Sequence, residues 1–182
     1  MILWSIQQRE CWLLAQKRGA IRADGRRVWR SFKPAYRWMR DQLMTRLGRP
    51  PAHITYPTWA WLQYKSADRP RPDLRHSAHL SPGTQGVVIE FEIAPEHVLL
   101  SDFDLWHYVL NDSYLPAHRG DDRDSPSSRE RRRSWERIFD MSFSSNDVAV
   151  PFAQKSVQAS LWQIPLEAVK SVREFIARER AA

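Results

Sequence analysis

Alternation and helical spacing divide the chain into short elements of both kinds. Ile2-Leu3-Trp4-Ser5-Ile6 is rich in β-branched and aromatic residues and bounded by polar ones, which predicts a strand. From Gln8 to Arg18, the residues Cys11, Leu14, Ala15 and Arg18 fall on one helical stripe. Gly19 then stands where a glycine closes a helix in the left-handed conformation. Residues 34–47 repeat the scheme, with Pro34 in the first turn, Ala35, Trp38, Met39, Leu43 and Leu47 at helical spacing, and Gly48 and Pro50-Pro51 as the stop. Tyr56 to Tyr64 predicts a strand with Thr58, Ala60, Leu62 and Tyr64 on one face and Trp59, Trp61 and Gln63 on the other.

After a polar loop over residues 65–82, Gln85 to Ile93 alternates most cleanly. Val87, Ile89, Phe91 and Ile93 make a core face, opposite Val88, Glu90 and Glu92. Leu99-Leu100 extends a further strand, Ser101 and Asp104 form a capping pair, and a helix from Asp102 to Asn111 follows. Residues 116–128 hold almost nothing to bury and read as a flexible surface loop within the domain. Arg129 to Phe139 predicts a charged helix anchored by Trp135, Ile138 and Phe139, and Ser156 to Ile164 a last strand. Pro165 introduces a final helix with Leu166, Val169, Val172, Phe175 and Ile176 inward. The irregular order of helices and strands predicts an α+β fold. It is a single compact domain over 1–182, with a bent, mostly antiparallel sheet flanked by helices.

Composition narrows the setting. With 182 residues and 42% apolar content the chain is long enough to bury one core. The single Cys11 excludes an internal disulfide framework, and no apolar run approaches the ~20 residues needed to cross a bilayer, so a cytoplasmic, non-membrane protein is expected. The net charge of +7 is unevenly placed: residues 1–50 hold twelve Lys/Arg against three Asp/Glu, and the remainder holds 16 against 18. A basic N-terminal third attracts phosphates, or simply solvates the surface.

Three constellations carry candidate chemistry. Asp102, Asp104 and His107 place two carboxylates and an imidazole at a helix start, where they would serve proton transfer, or where Asp102 and Asp104 would only cap the helix. The loop with Asp73, Arg75, His76 and His79 offers metal-like side chains without fixed geometry, so no metal site is assigned. Arg75 could grip a phosphate by two bonds, or pair with Asp73. Nine tryptophans are the third feature. Trp59 and Trp61 share a strand face and could stack a flat ligand, or pack beneath a helix, whereas Trp12, Trp38 and Trp135 lie in helical patterns that suit the core. No phosphate-binding loop, dinucleotide fingerprint or nucleophile elbow is present.

Six strings carry a resemblance: Met1-Ile-Leu-Trp-Ser-Ile-Gln7, Lys33-Pro-Ala-Tyr-Arg-Trp-Met39, Tyr56-Pro-Thr-Trp-Ala-Trp-Leu-Gln63, Arg71-Pro-Asp-Leu-Arg75, the stretch Leu99 to Asn111, and Ser134-Trp-Glu-Arg-Ile-Phe139. Over nearly its whole length the chain resembles the uncharacterised bacterial family known as domain of unknown function 3841, which implies no reaction. The opening strand, helix and Gly19-Ala-Ile turn is also similar to that of small ADP-ribosyltransferase-like domains. These enzymes split NAD between a first-strand His or Arg, an aromatic or Ser, and a late-strand Glu. That likeness would place Trp4-Ser5 at the first position, Tyr56 or Trp59 at the second and Gln158 at the third. A glutamine cannot supply the charge, and Asp102 or Glu90 would have to substitute.

Two functions are expected from these readings. In one, a nucleotide- or NAD-sized ligand sits among Tyr56, Trp59, Trp61, Arg75 and Gln158, and Asp102, Asp104 and His107 move any proton. In the other, a non-enzymatic module binds nucleic acid through the basic residues of positions 17–49 and exposed tryptophans.

Overall fold

A computed structural model of the chain describes residues 1–75, 79–121, 123–145 and 150–178. In chain order the described residues form β1 (Ile2–Gln8), α1 (Arg9–Arg18), β2 (Ala20–Ile21), α2 (Lys33–Leu47), β3 (Thr58–Gln63), β4 (Gln85–Glu92), β5 (Leu99–Asp102), α3 (Phe103–Leu110), α4 (Ser128–Ser134), β6 (Val157–Leu161), β7 (Ile164–Pro165) and β8 (Val169–Ile176), with short 3₁₀ turns between them. The main sheet runs β5-β6-β3-β1-β4-β8 with antiparallel pairing throughout, and β2 pairs with β7 alone. The fold is α+β, as the irregular order of helices and strands predicts. Register shifts interrupt the pairing at Trp61/Gln63 and Glu90/Phe91, the kind of irregularity at which a strand bends.

The two faces of the sheet bury separate cores. Leu3, Ala60, Val87, Ile89, Phe91 and Ala159 point to one side, against Ala15 of α1 and the small β2–β7 ribbon with Ile21 and Ile164. The alternate side packs Trp59 and Leu99 against Ala35, Met39 and Leu43 of α2, Trp106 of α3 and Trp135. Ala35, Met39 and Leu43 recur every fourth residue, which is why α2 has one buried stripe. Trp135 is buried and Trp12 and Trp38 are partly buried against these cores.

The chain's end departs from expectation. Residues 169–176 form a strand, β8, and not the helix predicted after Pro165. Val169, Val172, Phe175 and Ile176 fit helical spacing, but β4 is fully buried along Val87, Ile89 and Phe91 and needs hydrogen-bond partners on both edges. β1 supplies one edge and β8 the other. The described residues of 116–127 carry no helix or strand; Asp121 accepts from Ala117 N and the Tyr114 hydroxyl, both at 2.7 Å. Position 122 of that loop lies outside the described residues.

Candidate functional site

α1 ends where Gly19, at a φ of 77°, turns the chain and donates its N–H to Ala15 O. The chain then makes β2 and a 3₁₀ turn at Gly25–Arg27, where the Asp24 side chain accepts from Arg26 N at 3.0 Å. Tyr56, just before β3, packs beneath that turn. A Cβ on Gly25 would lie 2.3 Å from the Tyr56 ring, so only glycine permits the approach. Between α1, this turn and Tyr56 lies a cleft of about 960 Å³.

Its walls carry Lys17, Arg18, Arg22, Arg26, Arg27 and Lys33 against the acids Glu10 and Asp24. The acids are already engaged: Arg26 binds Asp24 through Nε and Nη2 at 3.0 and 2.8 Å, and Arg27 reaches Glu10 at 3.4 Å. The hydrogen bonds from Arg26 hold the Asp24 carboxyl well below the usual carboxylate range, at about 2. Arg22 meets only the neutral Gln163 amide at 3.0 Å, and Lys17, Arg18 and Lys33 make no ion pair among the described residues. Leu13 and Leu14, each 42% exposed, give the cleft an apolar strip. An open basic cleft with apolar and aromatic wall suits an anion with a flat or apolar portion.

Of the residues expected from the sequence to form a nucleotide pocket, Tyr56 alone lines this cleft; its basic walls come from the residues of positions 17–49 that were expected to hold nucleic acid. Trp59 is in the second core, with ring contacts to Tyr36 at 5.5 Å and Trp106 at 5.0 Å. Burial there pushes the Tyr36 hydroxyl above its ordinary value. Trp61 belongs to a chain of edge-on rings running from His107 through Phe103 and Trp61 to Tyr64, which meets His79 at a tilt of 49°. Arg75 is exposed and bonds Asp73 through Nε and Nη2 at 2.9 and 2.8 Å; His76 lies outside the described residues.

Asp102, and not the Ser101–Asp104 pair expected from the sequence, caps α3, because Ser101 is still in β5 and its hydroxyl reaches no helix N–H among the described residues. Asp102 Oδ1 accepts from Asp104 N and Leu105 N, at 3.0 and 3.1 Å, and its Oδ2 takes the Lys155 ammonium at 2.8 Å. Lys155 also donates to Phe143 O at 2.6 Å. This buried ion pair, with side chains 3% and 7% exposed, was not foreseen, because nothing local marks Lys155. Desolvation, and then the Asp102 charge, push the Asp104 carboxyl up, while His107 and Lys155 oppose the shift. His107 bonds Phe103 O at 3.0 Å within its own helix.

Gln158 sits between Ser101 and Trp61 in the sheet register. Its Oε1, with Ser101 Oγ, Ser160 Oγ and Trp59 Nε1, is buried without a protein hydrogen-bond partner. Glu90, the other candidate acid, accepts from Trp4 Nε1 at 2.9 Å and meets Arg71 at 3.2 Å. No group of three or more His, Cys, Asp or Glu among the described residues could hold a metal ion, and no helix among them is long and apolar enough to cross a membrane.

The family model described as Domain of unknown function (DUF3841) matches residues 2–131. The chain belongs to this family. No curated protein and no solved structure matches the chain. The DUF3841 match contains every wall of the cleft, from Glu10 to Tyr56, together with Asp102, Asp104 and His107, whereas Lys155 and Gln158 lie beyond it.

Proposed function

We propose that this DUF3841 protein binds a phosphate-bearing nucleotide in the cleft between α1, the Gly25–Arg27 turn and Tyr56. One observation carries the reading. Lys17, Arg18 and Lys33 line a cleft of about 960 Å³ and make no ion pair among the described residues, while both wall acids are occupied by Arg26 and Arg27. That volume is in the range of sites that take drug- to dinucleotide-sized ligands. Unpaired cations around it favour a ligand with more than one negative charge, and the apolar strip of Leu13 and Leu14 favours one with a less polar end. The similarity to ADP-ribosyltransferase-like domains makes NAD the first dinucleotide to test.

Transfer chemistry has less support than binding. Gln158 is uncharged, Glu90 is already held by Trp4 and Arg71, and both oxygens of Asp102 are committed. Binding is therefore the function proposed. Calorimetric titration with ADP and NAD tests it. Lys17→Ala and Lys33→Ala should each weaken binding about tenfold, the low end (~1.5 kcal/mol) for a lost hydrogen bond to a charged group, while Arg75→Ala changes nothing. Loss of binding in Arg75→Ala with the two lysine variants unaffected would place the ligand at the Asp73 loop and refute the cleft.

A further inference from the structure

The basic N-terminal third is not the only cationic surface. On α4 and the turn that follows it, Arg129, Arg132, Arg133 and Glu136 lie at i, i+3, i+4 and i+7, on one helix face, and line a depression of about 540 Å³. The remaining arginines nearby are engaged: Arg123 with Glu130 at 2.7 Å, Arg131 with Asp112 at 3.1 Å, and Arg137 with Leu115 O at 2.7 Å. Arg129, Arg132 and Arg133 are exposed and make no ion pair among the described residues. Like charges one turn apart destabilise a helix, and among the residues that line the depression Glu136 alone is acidic.

One helix, α2, links the cleft to the element that carries this face. Lys33 belongs to the cleft wall and opens α2. Trp38 follows five residues later, about 7.5 Å along the helix, and its ring meets Trp135 edge-on at 5.4 Å. Trp135 directly follows α4, so the helix that begins at the cleft wall packs against the end of the element that carries the second cationic surface. Arg30, three residues before Lys33, and Arg37, one turn after it, are exposed and make no ion pair among the described residues. Beside them stands Trp29, 73% exposed, its ring stacked on Phe32 at 5.7 Å with an 18° tilt. A large indole left in water yet held flat by a second ring is a stacking platform.

We infer that the nucleotide in the cleft is one unit of a single-stranded nucleic acid. Its backbone crosses α2 to the Arg129–Arg132–Arg133 face, with a base stacked on Trp29. This rests on the proposed nucleotide reading of the cleft. Cations interleaved with an exposed aromatic fit a strand; an acidic peptide would have no use for the flat Trp29–Phe32 pair.

Fluorescence anisotropy with oligodeoxythymidines of about 4 and about 16 nucleotides, across a salt series, tests the inference on the full chain. Calorimetry with ADP runs beside it. The longer oligomer should bind at least ~10-fold tighter than the shorter. Arg132→Ala with Arg133→Ala should remove that gain and lower the log–log salt slope by about 1.4, two contacts at ~0.7 each, and leave ADP affinity unchanged. Trp29→Ala should weaken the long oligomer ~5-fold or more at every salt concentration. Three results overturn the inference while the cleft reading stands: no gain with length, an unchanged slope in the double arginine variant, or equally tight capture of polyglutamate. Absence of ADP binding by the unmutated protein overturns the cleft reading, and this inference with it.

Discussion

Replacing Lys155 by Met removes one charge from the interior at nearly constant volume. In the native protein the ammonium donates to Asp102 Oδ2 at 2.8 Å and Phe143 O at 2.6 Å, with both side chains almost wholly buried. Breaking such a pair from one side costs about 3–5 kcal/mol, because the surviving charge stays buried without its counterion. Asp102 keeps part of its support, since Oδ1 still accepts from Asp104 N and Leu105 N. The lower part of the range applies, about 3–4 kcal/mol. For a domain of this size each kcal/mol is worth about 2–4 °C, so Tm should fall by roughly 6–16 °C. Urea unfolding followed by tryptophan fluorescence reads the change directly. Adding Asp102→Asn neutralises the stranded carboxylate and keeps the cap, since Asn and Asp cap helices about equally well. The double variant should recover at least ~1.5 kcal/mol of the loss. A single-variant loss below ~1 kcal/mol, or a double variant no more stable than the single, would show that the stranded charge is not what destabilises the protein.

Gly25→Ala would place a Cβ 2.3 Å from the Tyr56 ring, and the displaced ring or turn should cost about 1–3 kcal/mol in thermal unfolding and weaken cleft binding at the same time. Asp24→Asn should destabilise the protein in a pH-dependent way. Hydrogen bonds from Arg26 hold the native carboxyl at about 2, below its ordinary 3.8, so its contribution is present above pH ~4 and is lost as the pH falls towards 2. Urea midpoints of the two proteins should differ at pH 6 and converge near pH 2; a constant gap would refute the assignment.

The cleft itself could be anticipated only in part. Its charge was legible, since the surplus of basic residues in positions 1–50 needs no structure to see. Its boundary was not, because Glu10, Lys33 and Tyr56 meet only when α1, α2 and the approach to β3 come together. Counting charge over long windows also hid the cations on α4, where the acids elsewhere in residues 51–182 cancel Arg129, Arg132 and Arg133 in the total.

Local patterns determined what depends on neighbours along the chain. The alternation in β4, the stripe of Ala35, Met39 and Leu43 in α2, the glycine stop of α1 and the cap at Asp102 all act within one or two turns. The tertiary structure decided everything that depends on a distant partner. β8 is a strand because β4 offers it an open edge, a demand that the spacing of Val172, Phe175 and Ile176 cannot express. Asp102 finds its counterion 53 residues away in Lys155, and Trp59 becomes core instead of surface because α2 and α3 close over that face. Backbone propensity and capping are short-range terms, readable from sequence, whereas desolvation and edge pairing take their values only once the chain is folded.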